Sequence, residues 1–476
     1  MQSEKAKQTH MYVCKNAEVK EKGEANNLYR SKLFPISFQI ISLIVLTFLI
    51  IGATGVTSSD KDLITILRNT NLANLIVWSY WWPAIILTAV FFGRHWCTVC
   101  PIELLVSIAT KVGINKSVPK GLRSGWMIPV LYGFVAIVAI SYWQIHRIPH
   151  RMALYLLLLM GFAVVISLIY KKRAFCSYFC PVGKLLGLYS LLSKFGIRVK
   201  DKSICDSCKT KDCISNKNQT NLIGRSCTSN IYPAKASDNR DCILCSQCVK
   251  SCSHNNIKLK KISRPYQLLD FNKLNWPEIA MIGILSGFVC YEILSSWSFS
   301  KGVVLAIPNM LHKVKLFGNI PTGLLKGLTL YLVIPAIYLS IVSLLAKLMG
   351  KQSFGFYLKR TAGFLIPLLA FGHVFKALIK TTTRIPYWEW ALSDSNGIKF
   401  ATQLLNRQIV LNKQDWLNIP VVILGVAGLS YAFYLIINKI NQDTALSVAN
   451  KTLYLIFTVL HFVLLSFGPV VHLVTR

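Results

Sequence analysis

Residues 33–56 read LFPISFQIISLIVLTFLIIGATGV, a stretch without one charged side chain. At about 1.5 Å of rise per residue, such a run crosses the ~30 Å hydrocarbon core of a bilayer as a helix. Eight further runs have the same character: 73–93, 125–143, 152–170, 276–297, 325–348, 361–379, 416–437 and 453–474. Several ends carry Trp81, Trp82, Trp143, Trp276, Trp297 and Trp416, as an interfacial aromatic belt requires. The chain of 476 residues is 53% hydrophobic and only 15% charged, too little charge to cover a soluble enzyme of this size. The pattern predicts an α-helical polytopic membrane protein with about nine spanning helices.

The formal net charge is +34. In a soluble chain this balance would indicate nucleic acid; in a membrane chain cytoplasmic loops collect Lys and Arg, and no nucleic-acid partner is predicted. With residues 1–32 inside, the inner segments hold 37 Lys+Arg and the outer ones 13, which orients the N-terminus inward and the C-terminus outward. The polar tail 1–32 lacks a charged n-region running into a short apolar core, so it does not read as a cleavable signal peptide. The predicted location is a bacterial inner (cytoplasmic) membrane, crossed many times.

The chain divides into the tail 1–32, a membrane part 33–170, a polar segment 171–275 predicted to be cytoplasmic, and a second membrane part 276–476. A repeat runs through the first half. One apolar run is followed by Cys97-Thr98-Val99-Cys100-Pro101, then Ile102-Glu103-Leu104-Leu105 and Lys111-Val112-Gly113-Ile114. Another is followed by Cys176-Ser177-Tyr178-Phe179-Cys180-Pro181, then Leu185-Leu186 and Lys194-Phe195-Gly196-Ile197. Each unit reads as a span, a Cys-Pro turn and a short interfacial helix. Both turns fall on the side of segment 171–275.

That segment carries eight of the fourteen cysteines. Cys242-x2-Cys245-x2-Cys248-x3-Cys252 presents three thiols at successive three-residue steps, which wraps one cubane, while the fourth cysteine of such a run ligates a second cluster. Zinc needs only two separated CxxC knuckles, and disulfides are disfavoured on a cytoplasmic face. The partner set is Cys205-x2-Cys208-x4-Cys213, with Cys227 further on. By analogy with the two-cluster pattern, Cys205, Cys208, Cys213 and Cys252 take one [4Fe-4S] cluster, and Cys242, Cys245, Cys248 and Cys227 the other. The usual proline after the remote cysteine is absent, since Ser253 follows Cys252 and Thr228 follows Cys227. Segment 171–275 is thus expected to be an inserted ferredoxin-like domain with two [4Fe-4S] clusters.

Gly93-Arg94-x-Trp96-Cys97…Cys100-Pro101, Phe175-Cys176…Cys180-Pro181-Val182-Gly183 and Asn239-Arg240-Asp241-Cys242…Cys252, in that order, resemble the membrane-bound polyferredoxin family of NosR-, NapH- and FixG/CcoG-like proteins. The resemblance covers roughly residues 90–260. It implies two [4Fe-4S] clusters and electron transfer serving a membrane or extracytoplasmic reductase, or a metal-site assembly. Two features depart from the family. The first Cys-Pro turn has two intervening residues where three are usual, and the short tail 1–32 is not expected to form a flavin-attachment domain of the NosR kind.

The remaining candidates carry alternatives. Cys97, Cys100, Cys176 and Cys180 are candidate redox or metal-receiving thiols, with proline opening the next helix and the helix N-terminus favouring thiolate; the other reading is a buried capping turn. His373 and His461 lie about 12 and about 9 residues into runs entered from the same side, an axial mismatch of roughly 5 Å. They read as ligands of a haem b, as a quinol or proton site, or as histidines bonded to a neighbouring helix. Glu292 and Lys376 read as a proton or quinol site or as a paired group. Cys14 and Cys290 stand alone and carry no predicted role. Segment 171–275 holds 20 Lys+Arg against six Asp, which compensates anionic clusters and lipid headgroups or steers an acidic donor such as ferredoxin or flavodoxin. The predicted function is a membrane-bound iron–sulfur electron-transfer protein, moving electrons between a cytoplasmic donor or quinol and a membrane or periplasmic oxidoreductase. The alternative is an assembly factor that reduces or delivers copper to a partner.

Overall fold

The computed structural model describes residues 28–219, 221–412 and 415–474. Most of the polar tail, Cys14 included, lies outside them. In chain order the first half contains α1 (Ile36–Ala53), α2 (Leu72–Phe92), α3 (Pro101–Val112), α4 (Met127–Tyr142), α5 (Pro149–Ile169) and α6 (Pro181–Tyr189). The polar segment follows, with β1 (Phe195–Val199) paired antiparallel to β2 (Ile257–Lys261), Ile197 opposite Leu259. The second half contains α7 (Trp276–Leu294), α8 (Ser298–Lys313), α9 (Thr322–Leu348), α10 (Phe354–Thr382), α11 (Asn418–Gln442) and α12 (Val448–Val474).

Among the described residues eight helices are long and apolar enough to cross a membrane: α1, α2, α5, α7, α9, α10, α11 and α12. The run at 125–143 forms α4, which is apolar but falls short of that length. The run at 361–379 begins earlier than the hydropathy indicates, because Ser353 caps α10 by accepting from the Phe356 amide. The stretch between α7 and α9, read as a loop, contains α8. Phe299, Val303, Ile307 and Met310 line one exposed stripe of α8, the pattern of a helix lying in an interface.

α10 is the hub of the second half. Residues 361–375 are buried without interruption, and the helix packs against α2, α7, α9, α11 and α12. A helix apolar all round its circumference has no other stable place than a bundle interior.

The repeat seen in the sequence folds as two interleaved units. α3, the interfacial helix of the first, packs on α5, the span of the second; α6 packs back on α2. The backbones are tied where they cross: the Ile114 amide donates to the Leu168 carbonyl (2.7 Å), Lys116 to Ile169 (2.9 Å) and Lys171 to Lys116 (3.0 Å). This approach needs a glycine at position 113, where a Cβ would stand 2.4 Å from the Leu168 carbonyl oxygen. Gly113→Ala is therefore expected to cost about 1–3 kcal/mol, read as a lower unfolding midpoint of the purified protein. Gly161→Ala, inside α5 with open space around it, should not lower the midpoint.

Candidate metal centre

The loop from Cys242 to Cys248 bends around Cys245 because Leu244 and Ser246 both adopt the left-handed region (φ 60° and 61°). A residue other than glycine is disfavoured there and persists where surrounding structure demands it. The structure sorts the eight sulfurs of the segment into two groups. Cys205, Cys208, Cys213 and Cys252 border one small cavity. Cys227, Cys242 and Cys248 each lie within electrostatic reach of Cys245. The groups adjoin: Cys248 also senses Cys213, and the Cys227 amide donates to the Cys213 carbonyl at 2.7 Å.

Donors already face the sulfurs. The Ile231 amide reaches Cys227 Sγ at 3.4 Å, the Asn256 amide reaches Cys252 Sγ at 3.4 Å, and Asn256 Nδ2 reaches Cys205 Sγ at 3.2 Å. Ser246 is fully buried beside Cys245 with no partner for its Oγ. Burial, reinforced by the neighbouring sulfurs, pushes the Cys213 and Cys242 thiols up to about 12. Such thiols lose their protons only to a cationic partner. Among the described residues no three His, Cys, Asp or Glu side chains converge as a single metal ion requires. An all-thiol set of four, spread wider than one ion needs and hydrogen-bonded at sulfur, fits an iron–sulfur cluster.

The two Cys-Pro turns are built alike. A one-turn helix (His95–Val99 or Ala174–Tyr178) runs into Cys100 or Cys180, which caps a helix opened by Pro101 or Pro181. The Gly183 amide donates to Cys180 Sγ at 3.3 Å. Burial pushes Cys100 up to about 12 and Cys180 up to about 11, and it raises Cys176 as well. Cys97, Cys100 and Cys180 border one cavity, while Cys176 lines a separate pocket and its Sγ donates to Glu103 Oε2 at 3.8 Å.

A buried ion triad locks the turns to the cysteine-rich segment. Glu103 is 1% exposed; Arg173 bonds its Oε2, and Arg225 Nη2 bonds its Oε1 at 2.7 Å. Arg225 Nη1 also donates to Ser107 Oγ at 2.7 Å. A second lock joins the segment to the second half: Glu278, in the capping box that opens α7, pairs with Arg240 (2.9 Å) and Lys184 (2.7 Å). The sequence reading did not single out Glu103, Arg173 or Arg225. The signal was present, since Glu103 is the one acidic residue between Asp62 and Asp201.

Beneath the turns lies an apolar cavity of about 220 Å³. Cys97, Cys100 and Cys180 border one part of its wall, and His146, His373, Glu292 and Lys376 also line it. His373 Nδ1 pairs with Tyr189 Oη at 3.1 Å. Lys376 lies 3.6 Å from Glu292 and donates to the Glu292 carbonyl (2.7 Å) and Ser296 Oγ (2.9 Å). His461 does not border this cavity: its Nδ1 is paired with the Phe457 carbonyl and its ring packs on Tyr338 and Phe457. The histidine that shares the cavity with His373 is His146, which sequence reading passed over because it follows a span instead of lying within one.

Residues 74–119 and 152–200 match a family described as a 4Fe-4S binding domain. The two matched pieces contain Cys97, Cys100, Cys176 and Cys180; the cysteines from Cys205 to Cys252 lie outside them. Over 174 residues the chain is 26% identical to an uncharacterized protein of Methanocaldococcus jannaschii, a match covering 35% of this chain and 64% of that one, so less than two thirds of the relative is spanned. No solved structure matches. The domain match and the eight apolar helices support a membrane-associated 4Fe-4S protein.

Glu103→Gln removes the negative charge and leaves two buried guanidinium groups facing each other. Its expected cost is about 3–5 kcal/mol, read as a fall in the thermal unfolding midpoint of the purified protein. Glu389→Gln, at an exposed position, is the matched control and should leave that midpoint in place.

Proposed function

We propose that this chain is a membrane-bound iron–sulfur electron-transfer protein. In this reading Cys205, Cys208, Cys213 and Cys252 hold one [4Fe-4S] cluster, and Cys227, Cys242, Cys245 and Cys248 hold a second. When bound, such clusters accept and release single electrons without breaking bonds in the protein. The chain's own residues supply the rest. Leu244 and Ser246 shape the loop around Cys245; the Ile231 and Asn256 amides neutralise charge at sulfur; Ile197, Val249 and Ile257 keep water from the cavity walls.

The observation that carries the reading is the pairing of two four-thiol groups through one peptide hydrogen bond, Cys227 to Cys213. Adjacent groups linked by backbone suit electron passage between them. The excess of Lys and Arg in residues 171–275 suits an acidic donor such as ferredoxin or flavodoxin, with quinol as the other source, and a membrane or periplasmic reductase as the acceptor. The segment would then face the cytoplasm at the inner membrane.

Cys245→Ser in protein purified without oxygen should lower the iron content by about four atoms per chain and remove one EPR signal. An unchanged iron count and spectrum would contradict the assignment.

A further inference from the structure

We infer that the end of the apolar cavity remote from the cysteine-rich segment binds an organic anion, its acidic head held by Arg68, Arg147, Lys380 and Arg384 and its apolar body lodged in the cavity. The site uses none of the cluster cysteines. It goes beyond the electron-transfer reading and does not depend on it.

The fold gathers these cations at one place. Arg68 lies in the last turn of the short helix Lys61–Thr70, Arg147 in the loop between α4 and α5, and Lys380 and Arg384 at the end of α10. Asn74, near the start of α2, ties the first two stretches together: its Nδ2 donates to the Arg68 carbonyl (2.8 Å) and to the His146 carbonyl (3.3 Å). The end of α10 is tied to the same part of α2, since the Thr381 hydroxyl donates to the Ser79 carbonyl at 2.8 Å. Arg68 lies within electrostatic reach of Arg147 and Arg384, and Lys380 within reach of Arg68 and Arg384. The Cys-Pro turn follows the opposite end of α2, and the opposite end of α10 is bonded to the polar segment through Lys359 and the Asn272 carbonyl (2.7 Å).

Counter-charge is missing. Among the described residues none of the four forms an ion pair with a carboxylate. The carboxylate within reach of Arg68 is Glu292, already paired with Lys376 at 3.6 Å. Asp394, in the turn that meets Asn71, leaves its Oδ2 buried without a partner and pairs with none of them. The Nε atoms of Arg68, Arg147 and Arg384 and the Nδ1 atom of His146 are likewise buried without a hydrogen-bond partner. Burial, with Arg384 and Arg147 beside it, pulls Arg68 down to about 10. Guanidinium groups crowded out of water are strongly disfavoured unless an anion joins them, and their planar forks match a carboxylate or phosphate.

The cavity supplies the second, independent observation. Trp78, His146 and Lys380 line its wall, and the Lys380 ammonium lies 5.8 Å from the Trp78 ring centre, so the cavity opens onto the cationic cluster. Its volume of about 220 Å³ exceeds the roughly 150 Å³ that accommodates a benzene ring, enough for a ring-sized body. The indole N–H groups of Trp78 and Trp81, both in the wall, have no acceptor. α2 is wound as π-helix over Ile76–Trp81, the stretch that carries these tryptophans. A neutral ligand would fill the apolar space and leave the four cations unanswered; an acid with an apolar body answers both. Such an acid comes either free in solution or as an anionic lipid of the facing leaflet.

Two probe pairs test this on the purified full-length protein. Calorimetry in a non-ionic detergent compares cyclohexanecarboxylate with cyclohexanecarboxamide. Tryptophan quenching in vesicles compares phosphatidylglycerol brominated in its acyl chains with phosphatidylcholine brominated likewise. The expected result is a preference of about tenfold or more for the charged member of one pair, the size of one hydrogen bond to a charged group. A preference for the carboxylate identifies a free acid, and one for phosphatidylglycerol a lipid. Arg68→Gln/Arg384→Gln should abolish the preference and leave the iron content unchanged. Charged and neutral members acting alike in both pairs, or not binding at all, overturns the site without recourse to any variant. A preference that persists undiminished in the folded double variant overturns its assignment to these residues. Should that variant not fold, Lys380→Gln takes its place, with a loss of about tenfold expected. Every readout but the iron count is independent of iron, so the cluster assignment is untouched by either result.

Discussion

Glu103 sits in the first turn of α3, and its two oxygens are divided between an arginine three residues before Cys176 and an arginine two residues before Cys227. Three stretches far apart in sequence meet on one carboxylate: the first repeat, the second repeat and the cysteine-rich segment. A buried carboxylate is tolerated only when fully paired, and here the pairing partners flank candidate ligands. The position of each sulfur group relative to the others therefore depends on this triad. Without it, the two turns would remain attached to their own helices, and the segment would be held against them by Arg94 on the Arg240 carbonyl and by Lys184 on Asp241 and Glu278.

The interleaving of α2, α3, α5 and α6 has a consequence for how the membrane and polar parts join. Each unit closes on the other's span, so the Cys-Pro turns are enclosed on the membrane side by Trp81, Trp96 and the cavity wall. On the other side they are covered by residues 225–243 through Arg225, Arg240 and Ile243. Two of the helical stretches that line the cavity, Ile76–Trp81 and Val135–Tyr142, are wound as π-helix, a widening that recurs where side chains must be re-aimed at a site. The widened turns and the crossing together account for an apolar space directly beneath the sulfurs.

The spans were legible because charge-free runs of bilayer length have few other fates. α4, read as a ninth span, is an apolar helix shorter than the other eight, and α8 was missed because its apolar residues form a stripe diluted by Ser, Lys and Gly. The two sets drawn from Cys205 through Cys252 came from analogy with the two-cluster pattern, and in the fold Cys205, Cys208, Cys213 and Cys252 border one cavity. The repeat was readable too, but not the exchange of helices between its halves, which is a matter of tertiary packing. At Cys100 and Cys180, which cap helices opened by proline, burial raises the thiols against the effect of the helix N-terminus. Depth counting put His373 and His461 at similar levels, yet depth along an axis says nothing about which way a ring faces. His373 turns to Tyr189 and the cavity, and His461 to Phe457 and Tyr338.

The positive charge of this chain is not only a surface property. Arg94, Arg173, Arg225 and Arg240 are all buried around the sulfur groups, and the buried carboxylates that face them are Glu103 and Glu278. Asp238 adds a third, partly exposed. Four guanidinium groups against three carboxylates leave the interior cationic, and Lys184, which pairs with both Glu278 and Asp241, does not close the gap. A low-dielectric interior does not tolerate that excess unless anions come to it. On the proposed reading sulfur is the source, since thiols are neutral when protonated and anionic when they ligate iron, and loading the clusters would stabilise the joint between membrane and polar parts through these same arginines.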